Sequence, residues 1–237
     1  MHIVEANHHR GFRRMLGTYN YPTRFRVFEV GSLLLFLGAA LVFIRRLATE
    51  FVDRFSVGVI GLVAVASVLA FVIADFLSGL VHFLCDNLGS PDTPIVGQKF
   101  IKSFRDHHDD PMEMANGDFV SVNADNFSVC LPVLIPCAIW LDVREHFLIG
   151  AFLAALMALV TITNEAHKWA HAPNPPGYIR ALQSTRLVLT PANHALHHTA
   201  PHDSNYCITS GSLNPVLTRF HFWELLLRLL RRRSTAP

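Results

Sequence analysis

The sequence predicts an all-α, polytopic membrane protein with about four transmembrane helices and a cytoplasmic, histidine-rich metal-binding cap. Three observations carry that expectation: long uncharged runs, basic residues gathered on one side of those runs, and histidines grouped at helical spacing. Of 237 residues, 51% are hydrophobic and 16% are charged, where soluble domains carry roughly 25% charged residues. Mean hydropathy is +0.33. Such a chain is too apolar to be disordered, and a net charge of +2 implies no nucleic-acid partner.

A crossing needs about 20 apolar residues, at ~1.5 Å rise each, to traverse ~30 Å of hydrocarbon. Residues 1–27 hold five arginines and no apolar run, so they read as a cytoplasmic N-terminal segment and not as a cleavable signal. The first span is expected near 30–44, closed by Arg45 and Arg46, whose long side chains reach the headgroups. The second, near 55–74, contains no charge. The third, near 127–140, includes Pro132 and Pro136, which membrane helices tolerate because neighbours satisfy the freed backbone groups. The fourth is expected near 147–163. Phe222–Arg233 is too short to cross; its aromatics, leucines and arginines suit an interfacial helix, and 227–237 form a basic tail. The four cysteines lack C-x-x-C spacing and read as reduced packing residues.

Four crossings return both termini to one side. Five Lys/Arg precede the first span, three separate the second from the third, and eight follow the fourth. Only Arg45, Arg46, Arg54 and Arg144 fall on the opposite side. The positive-inside rule therefore puts the termini and the long loops in the cytoplasm, on a bacterial inner membrane or the endoplasmic reticulum. Residues 28–226 read as one domain, with the cytoplasmic parts built directly on the spans.

On this topology nine of the 14 histidines gather on the cytoplasmic face. Asp75, His82 and Asp86 are spaced by seven and four residues, on one face of a helix that continues the second span past Ala74. His167 and His171 (H-K-W-A-H) form an i, i+4 pair, a spacing at which two imidazoles hold one ion. His194, His197 and His198 (H-A-L-H-H) repeat that spacing, with His202 beyond them. His107 and His108 are adjacent, so they suit two different ions. Imidazole-rich sites take iron, zinc, copper or nickel. Nine ligands are too many for one ion, so two ions are the simpler count. His2, His8, His9 and His221 have no partner pattern and read as surface residues, and His146 falls on the opposite face. The sequence holds no haem or flavin motif and no G-x-G-x-x-G fingerprint.

An ordered series of stretches resembles the lipid desaturase family of plasmanylethanolamine desaturase, the plasmalogen-forming enzyme. The series is A-D-F-L-S-G-L-V-H (74–82), P-I-V-G-Q-K-F-I (94–101), F-R-D-H-H-D-D-P (104–111) and N-A-D-N (123–126). T-N-E-A-H-K-W-A-H (163–171), H-A-L-H-H-T-A-P-H (194–202) and Y-C-I-T-S-G (206–211) follow. The family is also similar to a chloroplast enzyme that puts a trans double bond into phosphatidylglycerol. Phe104 stands where ordinary acyl desaturases carry the lone histidine of their first box, which leaves His82 to fill that place; Gly117 likewise stands where the plasmalogen branch has a histidine.

The resemblance implies two iron ions held by His82, Asp86, His107, His108, His167, His171, His194, His197, His198 and His202. O2 is the implied co-substrate, a membrane phospholipid the substrate, and a separate cytochrome b5-like protein or ferredoxin the electron donor. Asp75, Asp110, Asn123 and Asp125 are expected to orient the imidazoles or meet the substrate; Lys102, Arg105 or Lys168 are expected to meet lipid phosphate. The implied product is the vinyl ether of plasmalogens. Acyl-chain desaturation or hydroxylation uses the same centre, and a non-catalytic metal or redox sensor is the alternative of another class. A metal transporter would place ligands near the bilayer midplane, whereas these lie beyond the span ends.

Overall fold

The computed structural model describes residues 23–234. The expectations for residues 1–22, His2, His8 and His9 among them, and for the last residues of the basic tail lie outside the described residues. All the regular elements described are helical. Four are long and apolar enough to cross a membrane: α1 (Thr23–Asp53), α2 (Val57–Asn87), α5 (Phe119–Trp140) and α6 (Phe147–His171). Short helices carry the rest of the site: α3 (Lys102–Asp109), entered through a π-helical turn at Gly97–Ile101, then α4 (Pro111–Ala115), α7 (Gly177–Ser184), α8 (Pro191–His197), α9 (Asn214–Arg219) and α10 (Phe222–Ser234).

Ser56 starts α2 by accepting from the Val59 amide at 3.2 Å, and Asp118 starts α5 by accepting from Val120 and Ser121. These caps satisfy amides that have no partner inside the helix. At 31 residues α2 is about 46 Å long, well beyond ~30 Å of hydrocarbon, so its last turns stand clear with His82 and Asp86. Helix α6 touches α1, α2 and α5, while α1 packs chiefly on α5. Phe36, Phe43, Leu47, Phe127, Leu134, Phe147 and Met157 fill the space between them. Outward-facing Leu34, Leu35 and Leu41 of α1 and Val65, Val68 and Leu69 of α2 are each more than half exposed. A soluble protein does not leave such a belt bare; lipid tails cover it, and the chain is an integral membrane protein.

Two helices begin earlier than the apolar runs suggest. Helix α1 starts at Thr23 and not near residue 30, because Glu29 is fully buried between Lys99 (2.7 Å) and Arg26 (3.2 Å), and Arg26 also holds Asp118 (3.1 Å). Helix α5 starts at Phe119 and not near 127, with polar Asn123 and Asp125 turned into the protein. Two glycines allow close approaches. A Cβ on Gly97 would meet the Pro91 carbonyl at 2.3 Å, and one on Gly79 would meet the Cys207 sulfur at 2.6 Å. Helix α10 seats Trp223 against Phe83 and Tyr206 and leaves Leu225, Leu229, Arg228 and Arg231 exposed, the pattern of an interfacial helix.

Candidate metal centre

Four helices converge on one point. Helix α2 brings His82 and Asp86, α3 brings His107 and His108, and α6 brings His167 and His171. His194 and His197 come from α8, and His198 closes its end. The side chains form two groups, His107, His167, His171, His194 and His198, then His82, His107, His108 and His197, each with ligand atoms within 4.8 Å of one another. Residues adjacent on a helix point about 100° apart, which is why His107 reaches both groups and His108 only one.

In the first group the Nε2 atoms face each other: 2.8 Å from His167 to His194, 2.8 Å from His194 to His171, 3.2 Å from His171 to His167 and 3.0 Å from His198 to His194. Two nitrogens each ~2.1 Å from a shared ion and at right angles stand about 3.0 Å apart. A neutral imidazole has a single N–H, so this mutual crowding of Nε2 atoms cannot be resolved as hydrogen bonds alone. The buried Nδ1 atoms of His167 and His194 have no partner either. Burial, reinforced by the neighbouring imidazoles, holds His107 and His194 well below the usual histidine range and His198 down to about 3. These rings stay neutral with lone pairs available, the form in which histidine binds a metal.

The second group is oriented from behind. His82 Nδ1 lies 3.2 Å from the Tyr206 carbonyl and His197 Nδ1 lies 2.8 Å from the Ser204 carbonyl. An N–H spent on a carbonyl fixes the tautomer that leaves Nε2 as the ligand. Three of the group's four ligand-side nitrogens converge on Asp86 Oδ2, at 3.4 Å from His82, 3.2 Å from His108 and 3.5 Å from His197. The donor set suits two ions, with Asp86 the one carboxylate among imidazoles.

His202 belongs to neither group. Its Nδ1 lies 3.2 Å from His108 Nδ1 and 3.0 Å from the His197 carbonyl, so it supports His108 from the side away from Asp86. Asp75 serves the fold: it accepts from the amides of Ser210, Gly211 and Leu213 and ties the loop behind Tyr206 to α2. Asp110 is exposed and caps α4 through the Met112 amide, away from the histidines. Arg105 donates to the carbonyls of Cys85, Leu88 and Gly89 and closes the end of α2. Asn123 donates to Glu165 (2.9 Å), and Lys168 donates to the Gly117 carbonyl (2.7 Å), so both tie α5 and its entry to α6. His146 and His221 are exposed. Tyr206 and Ser204 gave no signal of their own in the sequence, since each acts through its backbone carbonyl.

A cavity of about 460 Å³ opens beside the first group, with His107 and His167 in its wall. Lys102 and Asp125 line it too. Thus two of the polar residues expected to meet substrate face the space next to the histidines.

A lipid desaturase domain model matches residues 71–235. The chain is 34% identical over 212 residues to the plasmanylethanolamine desaturase of Myxococcus xanthus, across 89% of this chain and 73% of that protein. With plasmanylethanolamine desaturase 1 of Mus musculus it shares 38% identity over 177 residues, 72% of this chain and 65% of the relative. With the chloroplastic fatty acid desaturase 4 of Arabidopsis thaliana it shares 31% over 166 residues, 69% of this chain and 50% of the relative. No solved structure matches it. Seventy-one to 235 covers the histidine-bearing ends of α2 and α6 and everything between and beyond them, and on that match the chain belongs to the lipid desaturase family.

Proposed function

We propose that this membrane lipid desaturase introduces the vinyl-ether double bond of plasmalogens into plasmanylethanolamine, using O2 and two electrons at a centre of two iron ions. The observation that carries the reading is the pair of ligand groups sharing His107. His167, His171, His194 and His198 would hold one ion and His82, Asp86, His108 and His197 the other, with His107 within reach of both groups. When bound, the ions supply the O2 activation that removes one hydrogen from each of two adjacent carbons, with two electrons and two protons completing the reduction to water.

The chain's own residues position and exclude. The carbonyls of Tyr206 and Ser204 hold His82 and His197 in register. The long helices carry the alkyl chain toward the ligand groups, and the short helices above them keep bulk water off the reacting carbons. The basic-residue count supports a cytoplasmic site, where a cytochrome b5-like or ferredoxin donor meets it. Identity with two proteins named for plasmanylethanolamine supports this substrate. Identity with a chloroplastic fatty acid desaturase supports a second reading, acyl-chain desaturation at the same centre.

Lipid analysis of a host expressing the chain separates the readings. Acid-labile vinyl ethers are the expected product; a new acyl double bond instead favours the second reading, and neither product favours a non-catalytic sensor. Iron measured on the detergent-purified protein should approach two per chain. Zinc in its place, with less than one iron, sinks the di-iron assignment. His167→Ala and His198→Ala should each abolish product while expression persists.

A further inference from the structure

In an ether lipid of this class the reacting carbons are the first two of the alkyl chain. Phosphorus is six bonds from the first of them and the ethanolamine nitrogen ten, so at ~1.5 Å per bond and tetrahedral angles they reach at most about 8 Å and about 12 Å away. The headgroup must therefore sit beside the metal ligands. A site acting far along an acyl chain needs apolar walls there instead.

The space beside His107 and His167 mixes charged side chains with apolar ones such as Phe25, Phe104 and Met114. About 460 Å³ corresponds to a sphere about 10 Å across, and its wall carries Lys99, Lys102, Asp106, Glu113 and Asp125. Both signs are present, as a zwitterion requires. Asp125 is the least exposed of these carboxylates, with a side chain 15% exposed. Its Oδ1 has no hydrogen-bond partner. Lys99 Nζ forms only a long ion pair with it, at 3.8 Å, and is itself held at 2.7 Å by Glu29. A buried carboxylate oxygen without a donor is costly, and a ligand N–H aimed at it removes that cost. At the open rim, Lys102 pairs with Asp106 one helical turn on, and both are nearly half exposed, so this lysine can exchange its partner for a phosphate.

Resting on the vinyl-ether reading above, we propose that this cavity seats the phosphoethanolamine headgroup, with Asp125 accepting from the primary ammonium and Lys102 meeting the phosphate. The arrangement selects by chemistry. A phosphocholine group has no N–H to donate to Asp125, and a phosphoglycerol group brings no cation. Asp125 is thus a specificity residue of this wall, and it acts on which lipid enters and where it stops.

The test uses full-length protein in detergent with a supplied reductant and three plasmanyl lipids that differ only in headgroup: phosphoethanolamine, phosphocholine and phosphoglycerol. Asp125→Asn should cut the preference for phosphoethanolamine over phosphoglycerol at least tenfold, through KM and not kcat, and Asp125→Glu should restore most of it. Native mass spectrometry on the same preparations should show Asp125→Asn losing retained phosphatidylethanolamine relative to phosphatidylglycerol. A parallel fall on all headgroups, or an unchanged preference, overturns the assignment. If Asp125→Asn does not fold, Lys102→Gln at the exposed rim takes its place: raised KM on all three lipids supports the seat, and unchanged KM overturns it. Should the wild type yield acyl double bonds and no vinyl ether, the proposed function fails, while the mass-spectrometric comparison still decides the role of Asp125.

Discussion

At the end of the bundle away from the histidines, Arg46 donates to the carbonyls of Cys137 (3.2 Å), Ala138 (2.8 Å) and Leu141 (2.6 Å). There Glu50 accepts from Arg54 (3.4 Å) and Arg144 (3.3 Å), over a floor of Phe43, Leu47 and Phe147. At the other end the same helices finish in imidazoles. Among the described residues, the buried side-chain polar atoms without a hydrogen-bond partner all lie in that histidine half, on His82, Asp86, His107, His167 and His194 and on nearby Asn123, Asp125, Asn126 and Trp223. Native proteins rarely leave such groups unpaired. One end is closed by its own residues; the other is built to receive something from outside.

The two ends differ most at His107, the residue common to both ligand groups. His107→Ala should abolish desaturation and drop bound metal from about two ions per chain to below one, read by elemental analysis against protein concentration. His171→Ala, which touches one group, should leave close to one ion. Two ions retained in His107→Ala would show that the groups do not share it.

Metal removal and pH probe the same end as a whole. An ion that binds only the folded state stabilises it by about 2.7 kcal/mol at 100 times its dissociation constant, so chelation should lower the melting temperature in detergent. The stripped protein should then lose further stability on acidification. Unfolded imidazoles take up protons near pH 6.5, whereas folded His198 does so only at about 3, and His107 and His194 stay well below the usual range. Below about pH 6.5 the unfolded chain therefore binds more protons, and stability present above that pH is lost as the pH falls toward 3. Melts of the stripped protein at about pH 7.5 and about pH 5.5 decide it: an equal or higher melting temperature at the lower pH contradicts neutral buried rings.

Arg46→Ala attacks the opposite end. It leaves the carbonyls of Ala138 and Leu141 without a side-chain donor, a loss of about 2 kcal/mol on the scale of part-buried charged hydrogen bonds. Metal content should not move. A fall in bound metal would mean the two ends are coupled through α5 and α6.

What was legible in the sequence divides along the same line. Uncharged runs announced the four long helices, because lipid-facing helices need no polar face. The extension of α2 past Ala74 followed from the spacing of Asp75, His82 and Asp86, the first two buried and the third half-buried. The early starts of α1 and α5 were hidden, since Arg26, Glu29 and Asn123 look like loop residues until Asp118, Lys99 and Glu165 arrive to pair with them. Histidine spacing identified the groups on α6 and α8, since i, i+4 neighbours share a face. It set His202 beside them, and the loop after α8 turns that ring onto the back of His108. Nothing local could reveal that the Tyr206 carbonyl meets a ring 124 residues away.

The smallest expected effect separates two roles for one carboxylate. Asp110 follows the H-H-D stretch, and its place beside two histidines suggested a residue that orients them. In the fold its Oδ1 accepts from the Met112 amide at 3.1 Å, with Pro111 opening the short helix α4, and it stays exposed. An N-cap of this kind contributes about 1 kcal/mol, and five residues of helix have little else to hold them. Asp110→Ala should lower the melting temperature slightly and leave metal content unchanged. Because Glu113 and Met114 of α4 line the cavity, loosening that turn should raise KM by about two- to threefold, on the scale of a fraction of 1.4 kcal/mol per tenfold, with kcat held. Lost metal in this variant would return Asp110 to the histidines and show that carboxylates beside the groups reach them through more than Asp86.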